Sequence, residues 1–204
     1  MRLGILGGSF DPVHNGHLLL AECCRDQALL HEVWFLPAAV QPHKPHGPVA
    51  SDSDRVEMLR LATRGREGMT VCPHEIDRGG VSYTVDTLRH LHAEQPDAEF
   101  FFLMGADTLH DLPNWRDPAE VLRLATPLVV QRPGEPEPNF GLLKDLADGK
   151  QLETIRQAVV EMPPTDISSS EIRRRLAAAE PCADDLPPRV WEFLDRRGIY
   201  RERQ

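Results

Sequence analysis

No apolar run in this sequence approaches the roughly 20 residues needed to cross a bilayer, so no membrane-spanning helix and no membrane partner are expected. Cysteine is scarce and badly placed for chemistry. Cys23 and Cys24 are adjacent, Cys72 and Cys182 are isolated, and no C-x-x-C occurs. That argues against a redox pair or a zinc knuckle and for buried, inert thiols. Positive charge is also short: the net charge is −9 and the pI is near 5.5. A nucleic-acid surface demands a broad excess of Lys and Arg, so DNA and RNA are not expected as partners. A small anion would have to be met by a local cluster of cations. There is no internal repeat, and neither G-x-x-x-x-G-K-[ST] nor G-x-G-x-x-G is present. The strand pattern begins at Met1-Arg2-Leu3-Gly4, which leaves no room for a signal peptide and makes a cytoplasmic location the expectation.

What is present is an ordinary globular composition, 41% hydrophobic and 27% charged, in 204 residues. That length suffices for one well-filled core. Short apolar runs alternate with helix-like segments. Strands are expected at residues 2–6, 32–38, 69–72, 99–104 and 126–130, with a weaker one at 158–162. Helices are expected at 17–30, 52–63, 82–93, 168–179 and 188–195. Ser51 and Asp52 can cap the second helix, in which Val56, Leu59 and Thr63 recur at helical spacing. The alternation predicts an α/β fold, a mostly parallel sheet with helices on both faces. Its central strands should be apolar throughout, as "EFFFLM" at 99–104 is. The Pro- and Gly-containing stretch 131–149 reads as a surface excursion, and residues 1–204 as a single domain.

The first strand runs into "GGSFDPVHNGHL" at residues 7–18. Glycines after a strand and before a helix let the backbone pass close to a bulky anion, and the helix N-terminus offers N–H groups and a positive dipole. Pro12 stiffens the turn, and Asn15-Gly16 supply turn residues before a helix beginning near His17. His14 and His17 can then reach the same space beyond the strand end, where ligands bind in open α/β sheets. Three readings stay open on the residues alone: a metal pair lacking a clear third ligand, a helix cap, or an anion clamp. The glycines and the strand favour the last.

A second stretch, "ISSSEIRRRL" at 167–176, has its own logic. Ser168-x-x-Glu171 fits a capping box, and Ile172 and Leu176 should face the core. Arg173 lies a turn beyond Ser169 and Ser170, near enough to share an anion with that N-terminus, whereas Arg174 and Arg175 should reach solvent. Lys44 in "QPHKPH" is the lone cation of the loop after the second strand.

The first stretch closely resembles the G-[TS]-F-D-P-x-H-x-G-H signature of the H-x-G-H nucleotidyltransferases, and the second resembles their late [ST]-S-x-x-I-R element. The resemblance implies a Rossmann-like, doubly wound fold and transfer of a nucleotidyl group from a nucleoside triphosphate. It implies that Gly7, Gly8, Ser9, Phe10, His14, His17, Ser168, Ser169, Ser170 and Arg173 bind the nucleotide, with His14, His17 and Arg173 stabilising developing charge. "VSYTVDTL" (81–88), "GADTLHDLPNW" (105–115) and "RPG" (132–134) are similar, in order and spacing, to bacterial nicotinate-nucleotide adenylyltransferases. The implied substrates are ATP, with the Mg²⁺ it brings, and nicotinate mononucleotide, and the implied products deamido-NAD and pyrophosphate.

On that reading Gly105 allows backbone contact with the nucleotide and Asp107 accepts from a ribose, while Trp115 offers a face to the pyridine. Stacking of this kind contributes about 1–3 kcal/mol per ring. Lys44, Tyr83, Thr84 and Arg132 complete the acceptor site, with N–H groups at 83–84 toward the carboxylate. Core packing is an equal claim on Trp115, and helix capping on Asp107. Arg116 follows Trp115 where many members carry an aromatic ring, so either the pyridine is held differently or Arg116 adds charge attraction. Another adenylyl- or cytidylyltransferase, such as a pantetheine-phosphate enzyme, and a nucleotide sensor without turnover remain as alternatives. Homo-oligomer formation is left open.

Overall fold

The computed structural model describes residues 1–42, 47–131 and 137–201. In chain order the elements are β1 (Arg2–Gly8), α1 (Asn15–Gln27), β2 (Glu32–Pro37), α2 (Asp52–Thr63), β3 (Met69–Val71), α3 (His74–Arg78), α4 (Thr84–Glu94) and β4 (Glu99–Gly105). They continue with α5 (Ala106–Asp111), α6 (Pro118–Leu124), β5 (Thr126–Gln131), α7 (Gly149–Gln157), β6 (Val159–Glu161), α8 (Ser169–Ala177) and α9 (Pro188–Arg197). The strands form one sheet in the order β3-β2-β1-β4-β5-β6. Each described pairing is parallel. The order reverses between β1 and β4, so the crevice beyond their C-terminal ends is the topological switch point.

Successive strand residues point to opposite faces, and here both faces are covered. Gly4 and Leu6 of β1, Phe101 and Leu103 of β4 and Leu128 and Val130 of β5 turn to one side, where α1, α2, α8 and α9 pack. Leu3 and Ile5, Phe100, Phe102 and Met104, and Val129 turn to the other, against α4, α5, α6 and α7. Gly4 is required by this packing: a Cβ there would lie 2.7 Å from Leu30 Cδ1 and 3.0 Å from Leu103 Cδ1.

The structure departs from the sequence reading in several places. Helix α1 starts at Asn15, not near His17, so Asn15 and Gly16 are its first turn rather than a loop. Ser51 alone caps α2, accepting from the Asp54 N–H, and Asp52 instead accepts from Arg55. Four helices, α3, α5, α6 and α7, are additional. The stretch 131–149 is no mere excursion, because Leu143 is fully buried and Phe140, Leu146 and Ala147 pack on the α4–α7 side of the core. Cys24 and Cys182 are buried, but Cys23 and Cys72 are only partly so. Arg175 is half-buried against Asp185 rather than free in solvent. Among the described residues no helix is long and apolar enough to cross a membrane.

The most unexpected interior residue is Arg55 of α2, 0% exposed. Its Nη1 donates to the Ser9 carbonyl at 2.7 Å, and its Nη2 to the Ala38 carbonyl at 2.8 Å and to Asp52 Oδ1 at 2.6 Å. One guanidinium thus ties the chain leaving β1 to the chain leaving β2 through a carbonyl of each. Arg55→Met keeps the apolar stem and loses only the donors, so it should cost about 1–3 kcal/mol of unfolding free energy. Arg55→Ala also opens a cavity and should cost more, about 3 kcal/mol or above. Urea unfolding of the two variants measures the order.

Candidate active site

β1 ends in Gly7-Gly8, and α1 begins seven residues after Gly8, at Asn15. The turn between them is organised by a carboxylate. Asp11 is 3% exposed. Its Oδ2 accepts from the Val49 N–H at 2.8 Å, and its Oδ1 from the Ala50 N–H at 2.9 Å and the Tyr200 hydroxyl at 2.6 Å. The Asp11 carbonyl accepts from Arg173 Nη1 at 2.7 Å, and the same nitrogen stands 3.7 Å from Asp11 Oδ2. Ser169 Oγ donates to the Pro12 carbonyl at 2.9 Å. The N-terminal end of α8 is therefore clamped on the 11–12 turn, and the two stretches singled out in the sequence meet.

His14 is the N-cap of α1 and His17 stands three residues on. Their ring centroids are 3.8 Å apart. The His14 N–H donates to His17 Nδ1 at 3.2 Å, which in the neutral ring puts the His17 proton on Nε2. Gly16 makes room for the pair, since a Cβ there would lie 3.1 Å from His14 Nδ1. Phe10 turns its side chain into the core. It is 1% exposed, in a left-handed conformation with φ 48°, and its ring meets His17 edge-on at 5.0 Å. Gly8 is small because of that ring, which a Cβ would approach to 3.1 Å. Ser9 Oγ donates to Gln41 Oε1 at 3.0 Å. Ser168 caps α8, accepting from the Glu171 N–H at 3.2 Å.

A cavity of about 450 Å³ opens at the C-terminal ends of β1, β2 and β4, lined by Gly7, Gly8, Leu36, Met104 and Gly105. Tyr83, Thr84, Asp107, Trp115 and Arg116 line it too. Tyr83 is the N-cap and Thr84 the first residue of α4. The Trp115 ring stands edge-on to Phe102 at 5.6 Å, against the core, and also borders the cavity. Asp107 caps no helix by its side chain. Its carboxylate folds over Gly105, where a Cβ would come within 2.6 Å of Oδ1. Lys44 and Arg132 lie outside the described residues.

Sequence reasoning missed Asp11, Arg55, Tyr200, Gln41 and Glu75. Asp11 lies inside the first motif, and its place between Phe10 and Pro12 was the available signal. Glu75 is 4% exposed on the cavity wall, accepting from Thr87 Oγ1 at 2.6 Å and so fixing the first turn of α4. Nothing near Tyr200 announces its partner.

His14, His17 and Arg173 are not among the residues that line this cavity. A crevice at the switch point, with the glycines of β1 and β4 in its wall, is where an open α/β nucleotide-binding fold takes its ligand. The profile of the cytidylyltransferase-like family matches residues 5–175. A protein of Rhodopirellula baltica described as a probable nicotinate-nucleotide adenylyltransferase is 40% identical over 201 residues, 98% of this chain and 94% of the relative. One of Thermomicrobium roseum with the same description is 39% identical over 203 residues, 98% and 92% of the two chains. The chain belongs to the nicotinate-nucleotide adenylyltransferase family. Its fold is shared with the Plasmodium falciparum nicotinic acid mononucleotide adenylyltransferase complexed with NaAD, at a TM-score of 0.71 and 16% identity over 98% of this chain and 97% of that one.

Burial, and then the hydrogen bond to Asp11, push the Tyr200 phenol far above its ordinary value of 10.0. The unfolded phenol ionises near pH 10 while the folded one keeps its proton. The associated stability is whole below about pH 10 and is lost as pH rises beyond it. Cys24, pushed up to about 12 by burial, adds to the same fall. Urea unfolding at pH 9 and pH 11 should therefore show a loss of stability at the higher pH, and a smaller loss in Tyr200→Phe. An equal loss in both proteins would remove Tyr200 from this role.

Proposed function

We propose that this protein joins ATP and nicotinate mononucleotide to give deamido-NAD and pyrophosphate. The observation that carries the reading is Arg173 held on Asp11, in the same turn as the His14–His17 pair, with Gly7 and Gly8 just before that turn in the wall of a cavity that Trp115 and the first residues of α4 also border. Membership of the family supports nucleotidyl transfer, and Trp115 offers an aromatic face suited to the second substrate.

A 5′-phosphate oxygen of the mononucleotide attacks the α-phosphorus of ATP in line. The new O–P bond forms as the bond from the α-phosphorus to the bridging oxygen breaks, and the electron pair leaves on pyrophosphate. The nucleophile is already an anion, so no base is required, and catalysis rests on positioning and charge neutralisation. Gly7 and Gly8 let the backbone approach the phosphates. Nε2 of His17, His14 and the Arg173 guanidinium donate to the triphosphate, with the first amides of α8 and Ser168 to Ser170 on the opposite wall. Gly105 and Asp107 take the nucleoside, and Lys44, Tyr83, Thr84, Trp115 and Arg132 take the acceptor.

Among the described residues no group of three or more His, Cys, Asp or Glu stands together to hold a metal. Mg²⁺ would arrive with ATP, held largely by its phosphates and by water, and would neutralise charge there. The four cysteines are free thiols, which supports a reducing, cytoplasmic setting. Residues 1–204 act on this reading as one domain.

Purified protein with ATP, Mg²⁺ and nicotinate mononucleotide should release pyrophosphate and form deamido-NAD. Release only with another acceptor or with CTP would move the protein elsewhere in the superfamily, and ATP binding without any release would make it a sensor. His17→Ala should lower kcat by about 10²–10³ with the fold retained, though at a lower unfolding midpoint because the His14 N–H loses its acceptor; a fully active variant would refute the role given to His17.

A further inference from the structure

We propose that the guanidinium of Arg116 reads the carboxylate of the acceptor's pyridine ring, and so sets a preference for the acid over its amide. The inference rests on the nicotinate mononucleotide reading above and extends it to specificity.

Among the described residues lining the main cavity the charged ones are Glu75, Asp107, Asp111 and Arg116. Three are acids and one is a cation. Of these four side chains Arg116 alone attracts an anionic ring substituent, and it adds a full charge to the N–H groups at the start of α4 in the same wall. Its placement is not accidental. The Arg116 guanidinium lies 4.7 Å from the centroid of the Tyr83 ring, and its Nη1 donates to Asp86 Oδ2 at 3.1 Å. Tyr83 and Trp115 line the same cavity, and Arg116 is joined to Trp115 by a single peptide bond. A ring seated against Trp115 therefore has Arg116 as its neighbour. A guanidinium carries five N–H donors in a planar fork, so the bond to Asp86 leaves capacity for a second carboxylate. The Arg116 side chain is 56% exposed, and an exposed ion pair of this kind exchanges partners at little cost.

The chemistry discriminates because the acid and the amide differ only at this group. A carboxylate presents two acceptor oxygens to the fork and cancels its charge. A carboxamide presents one acceptor and an NH₂ whose donors oppose those of the guanidinium.

The test is a matrix of kcat and KM for nicotinate and nicotinamide mononucleotides in the wild type and three variants. The wild type should favour the acid. Arg116→Ala should lower kcat/KM for the acid by about 10- to 100-fold, chiefly through KM. The amide should change by less than about threefold, as expected for an exposed residue whose loss leaves the fold intact. Arg116→Lys should recover part of the loss, and Arg116→Glu should turn the preference toward the amide. Equal losses with both acceptors, or an unchanged acid-to-amide ratio, would overturn the proposal. A wild type that turns over neither nucleotide would overturn the function reading itself, and that failure is visible before any substitution is made.

Discussion

The Asp11 carboxylate is the constraint on which the rest of the site depends. A buried carboxylate is costly unless its oxygens are met by donors, and here the donors come from distant parts of the chain. They are the amides of Val49 and Ala50 ahead of α2 and the hydroxyl of Tyr200 beyond α9. Satisfying one side chain thus fixes the 11–14 turn against two other segments. The backbone of the same residue then positions Arg173, through a carbonyl at 2.7 Å. That guanidinium is held to the turn that carries the histidines by Asp11, with Ser169 bonded to Pro12 beside it. Arg55 performs the complementary task below it, tying the Ser9 and Ala38 carbonyls to α2.

Charge is distributed unevenly for a reason. The chain is acidic overall, at −9, so a polyanionic substrate must be drawn to particular points rather than to a field. On the proposed reading those points for the triphosphate are Arg173, the imidazoles and the start of α8. The charged side chains lining the cavity, among the described residues, are Glu75, Asp107, Asp111 and Arg116, in a wall otherwise uncharged. Two phosphate-bearing substrates sharing one crevice need this separation, because cations spread evenly would not tell one from the other.

Features whose cause is local were legible in the sequence. The sheet centre could be read because β1 and β4 are apolar on both faces, and α2 and α8 because Ser51 and Ser168 cap them. The histidine pair could be read because three residues on a helix start suffice to bring two rings together. The helices α3, α5 and α6 escaped because each has seven residues or fewer, too short for an apolar period to show. α7 escaped because Ile155 is its one buried residue. Asp11, Arg55 and Tyr200 escaped because their partners are remote, 189 residues apart for Tyr200 and Asp11. The packing of the Phe10 ring against His17 was not legible, because a motif residue in a loop shows nothing of the core it turns into.

The two halves of the site also differ in how freely they can change. On the triphosphate side the binding residues also hold the fold together: Arg173 is bonded to the 11–12 turn, Ser169 to Pro12 and His14 to the first turn of α1. A substitution there disturbs structure and binding at once. The segment 115–117 is tied down differently. Arg116 pairs with Asp86, and Asp117 with Arg89, through side chains between a third and a little over half exposed. Exposed pairs contribute only about 0–1 kcal/mol each, so residue 116 can vary between an aromatic and a cation without threatening the core. On the proposed function, specificity for the acceptor would thereby be carried where the fold tolerates change, and nucleotidyl transfer where it does not.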